Sequence, residues 1–341
     1  MRKSLILVLV LLVTMFISIG CELEEIPETP APQTPTQPQI PALTLNNLDL
    51  TERISNEWKG TGKAFAIPDP AGRGIGCAQC HDGYGFSMFN TYNPNVTGAP
   101  AYAPKHPTGI DCQACHTGRG KELMDSGSVQ LPFNAQPLQA GKSANCMACH
   151  NGNRNPETLA QQFQAGTLAR LTYPHYGMQA AVTTGQGGMA IPGVTLPSTV
   201  AHSSTPCITC HMPYTNEGYK SHTFKADVAN INQTCGTCHA GITDFNYNGF
   251  QTEITDLLTK VKKAAIEKAG ASDLTYAGGA FTFHDAQGAE IDIKQIPFEA
   301  YVGAYNWRLI ALDGSGGIHN PQYARSILRE TYRFITGQQI Q

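Results

Sequence analysis

Charged residues are scarce in this chain, and neither sign is in large excess. Asp, Glu, Lys and Arg make up 14% of the 341 residues, and the net charge is −3. Because basic residues are not in excess, the sequence offers no basic face for nucleic acid, and nucleic-acid partners are not expected. A βαβ pattern, the usual setting of a thioredoxin-like redox pair, is absent as well.

Cysteines outside one repeated pattern are almost lacking. Ten of the eleven cysteines belong to five copies of Cys-x-x-Cys-His, and only Cys21 is left over. This pattern is the attachment signature of a c-type haem, because two thiols at this spacing can reach the two vinyl groups of one porphyrin while the adjacent histidine becomes the proximal iron ligand. The sequence therefore predicts five haem c groups, held by Cys77, Cys80 and His81; Cys112, Cys115 and His116; Cys146, Cys149 and His150; Cys207, Cys210 and His211; and Cys235, Cys238 and His239.

Other uses of paired cysteines fit this pattern less well. Four-cysteine zinc sites combine two pairs and need no histidine at a fixed next position, whereas five pairs is an odd number and each carries the histidine. A secreted disulfide scaffold would spread its cysteines along the chain instead of confining them to five identical loops. Covalent haem attachment is therefore the preferred interpretation.

The N-terminal segment reads as an export and anchoring region. Residues 1–20 are predicted to be a signal peptide, since Arg2 and Lys3 precede an apolar run that is short for a membrane span. Gly20 before Cys21 indicates lipoprotein processing, with Cys21 as the lipidated residue; ordinary cleavage nearby is the alternative. Residues 21–43 are rich in proline, threonine and glutamine and are expected to form an extended tether. Residues 44–341 form the predicted haem domain.

The predicted fold is mainly α-helical with much irregular structure. The 34 glycines and 22 prolines favour loops, and porphyrin is expected to fill much of the interior. Ala280–His284 and Ala289–Ile293 flank a turn sequence and predict one small β-hairpin. Apolar periodicity, proline and capping residues predict four helices: 156–171, a helix around residues 254–265 that Gly270 closes, 297–312, and 321–334 with Asn320 as its cap.

Six histidines lie outside the attachment motifs and are the available distal ligands. Because a haem iron has two axial positions, the residue in the second one distinguishes electron transfer from small-molecule chemistry. His284, at the end of a predicted strand, is the expected spare. Met178 and Met212 are the rival ligands. The five expected distal ligands, whose pairing with individual haems the spacing does not assign, are His106, His175, His202, His222 and His319.

Two segments, together with the five motifs, resemble multihaem c-type cytochromes of the bis-histidine electron-transfer kind. The first is residues 207–213, followed by His222. The second is residues 317–323, with the sequence Gly-Ile-His319-Asn-Pro-Gln-Tyr. These segments are also similar to the group that includes cytochrome c nitrite reductase, itself a five-haem protein, and to subunits of extracellular cytochrome filaments. The resemblance implies a stacked chain of haems wrapped by helices and loops.

The chain departs from the nitrite reductases in two ways. In those enzymes a lysine usually replaces the motif histidine at the catalytic haem, whereas all five motifs here end in histidine, and the body of this chain is shorter. We therefore expect an exported, lipid-anchored electron carrier, at the periplasm or cell surface, with other redox proteins as partners and no enzymatic activity. The alternatives are a reductase of nitrite, hydroxylamine or a related oxyanion with one open haem, and a protomer of a cytochrome filament.

Overall fold

The computed structural model describes residues 47–88 and 104–340. The predicted signal peptide, Cys21 and the tether lie outside these residues. None of the helices in the described part of the chain is long and apolar enough to cross a membrane.

Short helices and loops make up most of residues 60–249. Three of the five attachment motifs, the first, second and fourth, lie within helices of five to seven residues, because one turn of helix places both cysteines of Cys-x-x-Cys on the same side. The third motif overlaps a helix of four residues, and the fifth follows directly after one. The helices are α1 (Asn47–Lys59), α2 (Pro68–Ala71), α3 (Ile75–His81), α4 (Gly83–Met88), α5 (Cys112–His116), α6 (Gly118–Ser126), α7 (Ala144–Met147), α8 (Pro156–Gln164), α9 (Gln179–Thr183), α10 (Val200–Ser203), α11 (Cys207–His211) and α12 (Ile231–Thr234), with 3₁₀ turns at Gly62–Ala64, Gly141–Ser143, Val228–Asn230 and Tyr247–Gly249.

The last part of the chain forms three longer helices that pack on one another. They are α13 (Phe250–Lys268), α14 (Phe298–Asp313) and α15 (Pro321–Thr336), and a 3₁₀ turn at Ile293–Gln295 precedes α14. The caps agree with the sequence prediction. Gly270 has a φ of +65° just after α13, and the side chain of Asn320 accepts a hydrogen bond from the backbone of Tyr323 at the start of α15.

The helix predicted over 156–171 is shorter than expected. It ends at Gln164, since Gly166 adopts a φ of +67°, a left-handed conformation that stops the helix.

The strands within the described residues form two antiparallel hairpins. The first pairs β1 (Ser128–Val129) with β2 (Leu138–Gln139), and the second pairs β3 (Asp273–Ala277) with β4 (Ala280–His284).

Strand β4 lies where the sequence predicts it, but its expected partner was wrong. Residues 289–293 contribute one isolated bridge, between Glu290 and His284, while β3 forms the ladder. The reason is the pair Gly278-Gly279 with φ values of +55° and +87°, which form the tight turn that favours a two-residue hairpin.

The hydrophobic core consists of two clusters. The larger lies among α13, α14, α15 and the second hairpin, and α14 is buried on all sides. The smaller lies among the first three attachment motifs and contains four alanines, with Phe86, Leu131 and Met147 among its few large side chains. A core this poor in large aliphatic residues agrees with an interior that a bulky cofactor completes.

Candidate haem-binding site

The attachment cysteines of different motifs lie next to one another. None of the ten described motif cysteines forms a disulfide. Hydrogen bonding to Cys149, reinforced by burial, raises the pKa of the Cys80 thiol well above its ordinary value. A hydrogen bond from Cys146 lowers the pKa of Cys207 to about 6. The third motif therefore contacts the first motif through one of its cysteines and the fourth motif through the other.

Four motif histidines each face a histidine from elsewhere in the chain. Metal–imidazole bonds are about 2 Å long, so two rings that hold one metal from opposite sides have centroids about 6 Å apart. All four observed separations agree with that arrangement. The ring-centroid distances are 6.0 Å for His81 and His175, 6.3 Å for His116 and His222, 6.1 Å for His211 and His319, and 6.1 Å for His239 and His202.

The partner histidines are oriented by hydrogen bonds at Nδ1. The Nδ1 of His202 lies 2.6 Å from the carbonyl oxygen of Ile318, and that of His222 lies 2.8 Å from the carbonyl oxygen of Lys220. A carbonyl oxygen accepts only from a protonated nitrogen, so Nδ1 carries the hydrogen and Nε2 keeps its lone pair. This is the arrangement that metal-ligating histidines usually show.

The same pattern holds for three further histidines. The Nδ1 of His175 lies 3.1 Å from the carbonyl oxygen of Tyr176, and that of His211 lies 3.0 Å from the carbonyl oxygen of Phe224. The Nδ1 of His319 lies 2.6 Å from a carboxylate oxygen of Asp313. Burial acts to lower the pKa of His319, but the hydrogen bond and negative charge of Asp313 raise it above its ordinary value.

His284 differs from these residues. It ends β4, and both of its nitrogens have partners within the hairpin: Nε2 lies 2.9 Å from the hydroxyl of Thr275 and Nδ1 lies 3.3 Å from the carbonyl oxygen of Gly288. His106 is exposed. Across residues 47–88 and 104–340, no ring contact joins either His106 or His284 to a motif histidine.

The one remaining motif histidine, His150 of the third motif, has a different neighbour. Its Nδ1 lies 3.0 Å from Oε1 of Gln179, whose Nε2 donates to the carbonyl oxygen of Asp313 at 2.8 Å. Its Nε2 lies 3.5 Å from Nζ of Lys63. Burial, together with the positive charge of Lys63, lowers the pKa of His150 to about 4.

Sequence reasoning did not single out Lys63, Gln179 or Asp313. These residues belong to no motif, and long-range folding brings them to the histidines. The two methionines named as rival ligands have other surroundings. Met178 is buried in the larger core beside Gly152, and Met212 follows α11 as its cap.

Two family models match separate parts of the chain. Residues 197–341 match cytochrome c552, and residues 64–151 match cytochrome c7 and related cytochrome c. No curated protein matches the chain.

Solved structures give the fold. The outer cell wall cytochrome OcwA is similar over 82% of this chain, at 20% identity and a TM-score of 0.51. The undecahaem cytochrome from the S-layer of Carboxydothermus ferrireducens is similar over 79% of the chain, at 20% identity and a TM-score of 0.44. The chain spans 50% of the length of the first and 39% of the second.

The fold is that of a multihaem cytochrome, and both family models describe c-type cytochromes. The chain is a multihaem c-type cytochrome, with a cytochrome c552-like region at residues 197–341 and a cytochrome c7-like region at residues 64–151.

Proposed function

We propose that this cytochrome is exported and carries electrons through five covalently attached haems, at least four of which are held between two histidines. The observation that carries the proposal is the set of four histidine pairs with ring centroids 6.0–6.3 Å apart. Each of the four joins one motif histidine to one other histidine, although the partners are up to 108 residues apart in the chain. Hydrophobic packing alone gives no reason for four such pairs.

The chain's own residues would hold each haem in a fixed environment. When bound, a haem c supplies a one-electron redox couple at its iron. The two cysteines of each motif would anchor the porphyrin, and the four histidine pairs would each hold one iron between two imidazoles. Little geometry then has to rearrange when an electron arrives or leaves. Hydrogen bonds at Nδ1 fix the ring orientations and tune the basicity of each ligand.

The contacts between motifs support transfer from haem to haem. The third motif touches the first through Cys149 and Cys80, and touches the fourth through Cys146 and Cys207. Porphyrins attached to neighbouring thiols are necessarily close to each other. These contacts support a route from the first haem through the third to the fourth, with other redox proteins as donors and acceptors.

Export and anchoring are part of the proposal. The signal-like residues 1–20, the unassigned Cys21 and the proline-rich residues 21–43 support a lipoprotein held at the periplasm or cell surface. OcwA, whose fold this chain shares, is an outer cell wall cytochrome. Labelling with a radioactive fatty acid, with Cys21→Ala as the unlabelled control, tests the anchor.

A small-oxyanion reductase is the second candidate, and one observation favours it. His150 has no histidine partner within the described residues, so its haem is the place for an open iron. Filament assembly, the third interpretation, is tested by molecular mass under native conditions: a monomer counts against it.

The test of the main proposal is histidine replacement in the purified holoprotein. Haem quantification should give five haems per wild-type chain. His202→Ala and His222→Ala should each convert one haem from low-spin to high-spin, because each replacement opens one axial position. His284→Ala is the matched control and should leave the spectrum unchanged. A His222→Ala protein that stays fully low-spin would contradict the assigned pair.

A further inference from the structure

We propose that Lys63 is the sixth ligand of the haem iron that His150 holds. This inference rests on the proposed function, since it assumes a haem at the third motif. Its starting point is the separation of 3.5 Å between Nζ of Lys63 and Nε2 of His150. Two nitrogen ligands on opposite sides of one metal have their donor atoms about 4 Å apart. The lysine nitrogen thus lies where the second axial ligand is needed.

The hydrogen bonds of His150 direct the correct nitrogen towards Lys63. The amide of Gln179 has a defined orientation, since its Nε2 donates to the carbonyl oxygen of Asp313 at 2.8 Å. Its Oε1 must therefore accept, and Nδ1 of His150 is the donor at 3.0 Å. Nε2 of His150 is left with its lone pair, as in the histidines of the four pairs, and that nitrogen faces the lysine.

The backbone holds Lys63 at this place. Lys63 is the central residue of the 3₁₀ turn Gly62–Ala64. The side-chain hydroxyl of Thr61 caps this turn by accepting a hydrogen bond from the backbone nitrogen of Lys63 at 3.2 Å. The carbonyl oxygen of Lys63 accepts from the backbone of Ile110 at 2.8 Å, which ties the turn to the segment before the second motif. The side chain is half-buried, and its amine lies 5.4 Å from the centroid of the Phe224 ring.

The surroundings of the amine favour a ligand over an ion pair. Among the residues that the structure describes, no carboxylate forms a salt bridge with Lys63; its nitrogen instead approaches an imidazole nitrogen. An amine that ligates a metal through its lone pair needs no carboxylate beside it. A neutral amine also resembles imidazole as a nitrogen donor. Ligation by Lys63 would close the fifth iron without a fifth histidine pair.

His106 is the rival for the same position. It is exposed and precedes by four residues the backbone nitrogen of Ile110 that bonds to Lys63. The hydrogen bond between Ile110 and Lys63 ties the segment that contains His106 to the turn that contains Lys63, so replacements are needed to separate the two candidates. The structure favours Lys63, because its nitrogen already faces Nε2 of His150.

The experiment compares Lys63→Ala, Lys63→His and His106→Ala in the full-length holoprotein. Haem content is measured first, then spin state by electron paramagnetic resonance, and then carbon monoxide binding to the reduced protein. We expect the wild type to be fully low-spin and not to bind carbon monoxide. Lys63→Ala should gain one high-spin haem and bind carbon monoxide at about one haem in five. Lys63→His should remain low-spin, and His106→Ala should match the wild type.

The outcomes separate this inference from the proposed function. Fewer than five haems in the wild type would overturn the proposed function itself. Five haems with one already high-spin would show an open iron and overturn the role of Lys63. A high-spin haem in His106→Ala, with none in Lys63→Ala, would assign the ligand to His106. Near-infrared magnetic circular dichroism of the wild type gives a second test that needs no variant: it should contain an amine-ligated species beside the bis-imidazole haems, and a purely bis-imidazole spectrum would contradict the inference.

Discussion

A carboxylate oxygen of Asp313 lies 2.6 Å from Nδ1 of His319, and the Asp313 side chain is fully buried. The backbone carbonyl of the same aspartate accepts from Gln179, which in turn bonds to His150. One residue at the end of α14 therefore bonds directly to His319 and, through Gln179, supports His150. A buried carboxylate on a ligating histidine increases the basicity of that ligand and stabilises the more positive, oxidised iron.

Replacement of Asp313 by Asn should raise the midpoint potential of one haem. The amide keeps the shape of the side chain but removes its negative charge, so the His319 ring donates less electron density to the iron. The oxidised iron is then less stabilised relative to the reduced iron. The expected shift is on the order of tens of millivolts. Spectroelectrochemical titration measures it, and Asp125→Asn, at an exposed position on α6, is the control. Identical titration curves for wild type and Asp313→Asn would count against a haem at His319.

Replacement of Asn320 by Ala should destabilise the fold. The buried Asn320 amide accepts from the backbone nitrogens of Thr199 and Tyr323 and donates to the carbonyl oxygen of Thr183 and the hydroxyl of Ser198. Truncation removes a helix cap and leaves buried polar groups unpaired, at a cost of about 2–4 kcal/mol. Urea unfolding followed by far-ultraviolet circular dichroism measures the loss. The neighbouring exposed residue provides the control variant Gln322→Ala, whose unfolding midpoint should stay at the wild-type value.

Replacement of Gly303 by Ala should disturb the contact among the last three helices. A Cβ at this position of α14 would lie 2.5 Å from Cδ1 of Ile335 and 2.9 Å from Cβ of Ala265. Helices α13 and α15 would have to move apart, which costs about 1–3 kcal/mol in a packed core. Thermal unfolding checks this. Gly62→Ala, where no atom lies within 4 Å of the added carbon, should cost much less; equal losses in both variants would contradict the packing argument.

Replacement of Glu253 by Gln should reduce stability in a pH-dependent way. Glu253 on α13 accepts from Nε and Nη2 of Arg325 at 2.8 and 2.7 Å and from Arg329 at 3.0 Å, which joins α13 to α15. The hydrogen bond from Arg325 is the main reason that the pKa of Glu253 lies below its ordinary value of 4.5. Since these side chains are 30–48% exposed, solvent screening limits the loss at neutral pH to about 1 kcal/mol or less.

The sign of this pH effect follows from the lowered pKa. The ion pair stabilises the folded chain fully above pH 4.5, where Glu253 is ionised in both states, and its contribution disappears as the pH falls through the lowered pKa. The difference in unfolding free energy between wild type and Glu253→Gln should therefore shrink on acidification. Denaturant unfolding of both proteins at pH 7 and at acidic pH measures this difference. The control variant is Glu290→Gln, at an exposed position. A difference that grows in acid would contradict the assignment.

Much of the fold follows from local sequence signals. Asn320 with Pro321 predicts the start of α15, and Gly270 predicts the end of α13, because capping depends on residues within one turn of the helix terminus. The sequence predicts the second hairpin with the wrong partner, because the prediction places the turn at Asp-Ala-Gln-Gly, whereas the chain turns at Gly278-Gly279. The double glycine was the stronger signal, because both turn residues need positive φ.

The sequence by itself predicted the kind of cofactor and the cysteines that would anchor it. Two cysteines and a histidine within five consecutive residues act together whatever the rest of the chain does, so each motif can be recognised alone. Only the tertiary structure decided which histidine faces which motif, as His211 with His319 and His116 with His222 show. It also placed Lys63 at His150, 87 residues away. Such pairings depend on the packing of distant segments and on hydrogen bonds such as that between Gln179 and His150. The spacing of residues along the chain therefore does not predict them.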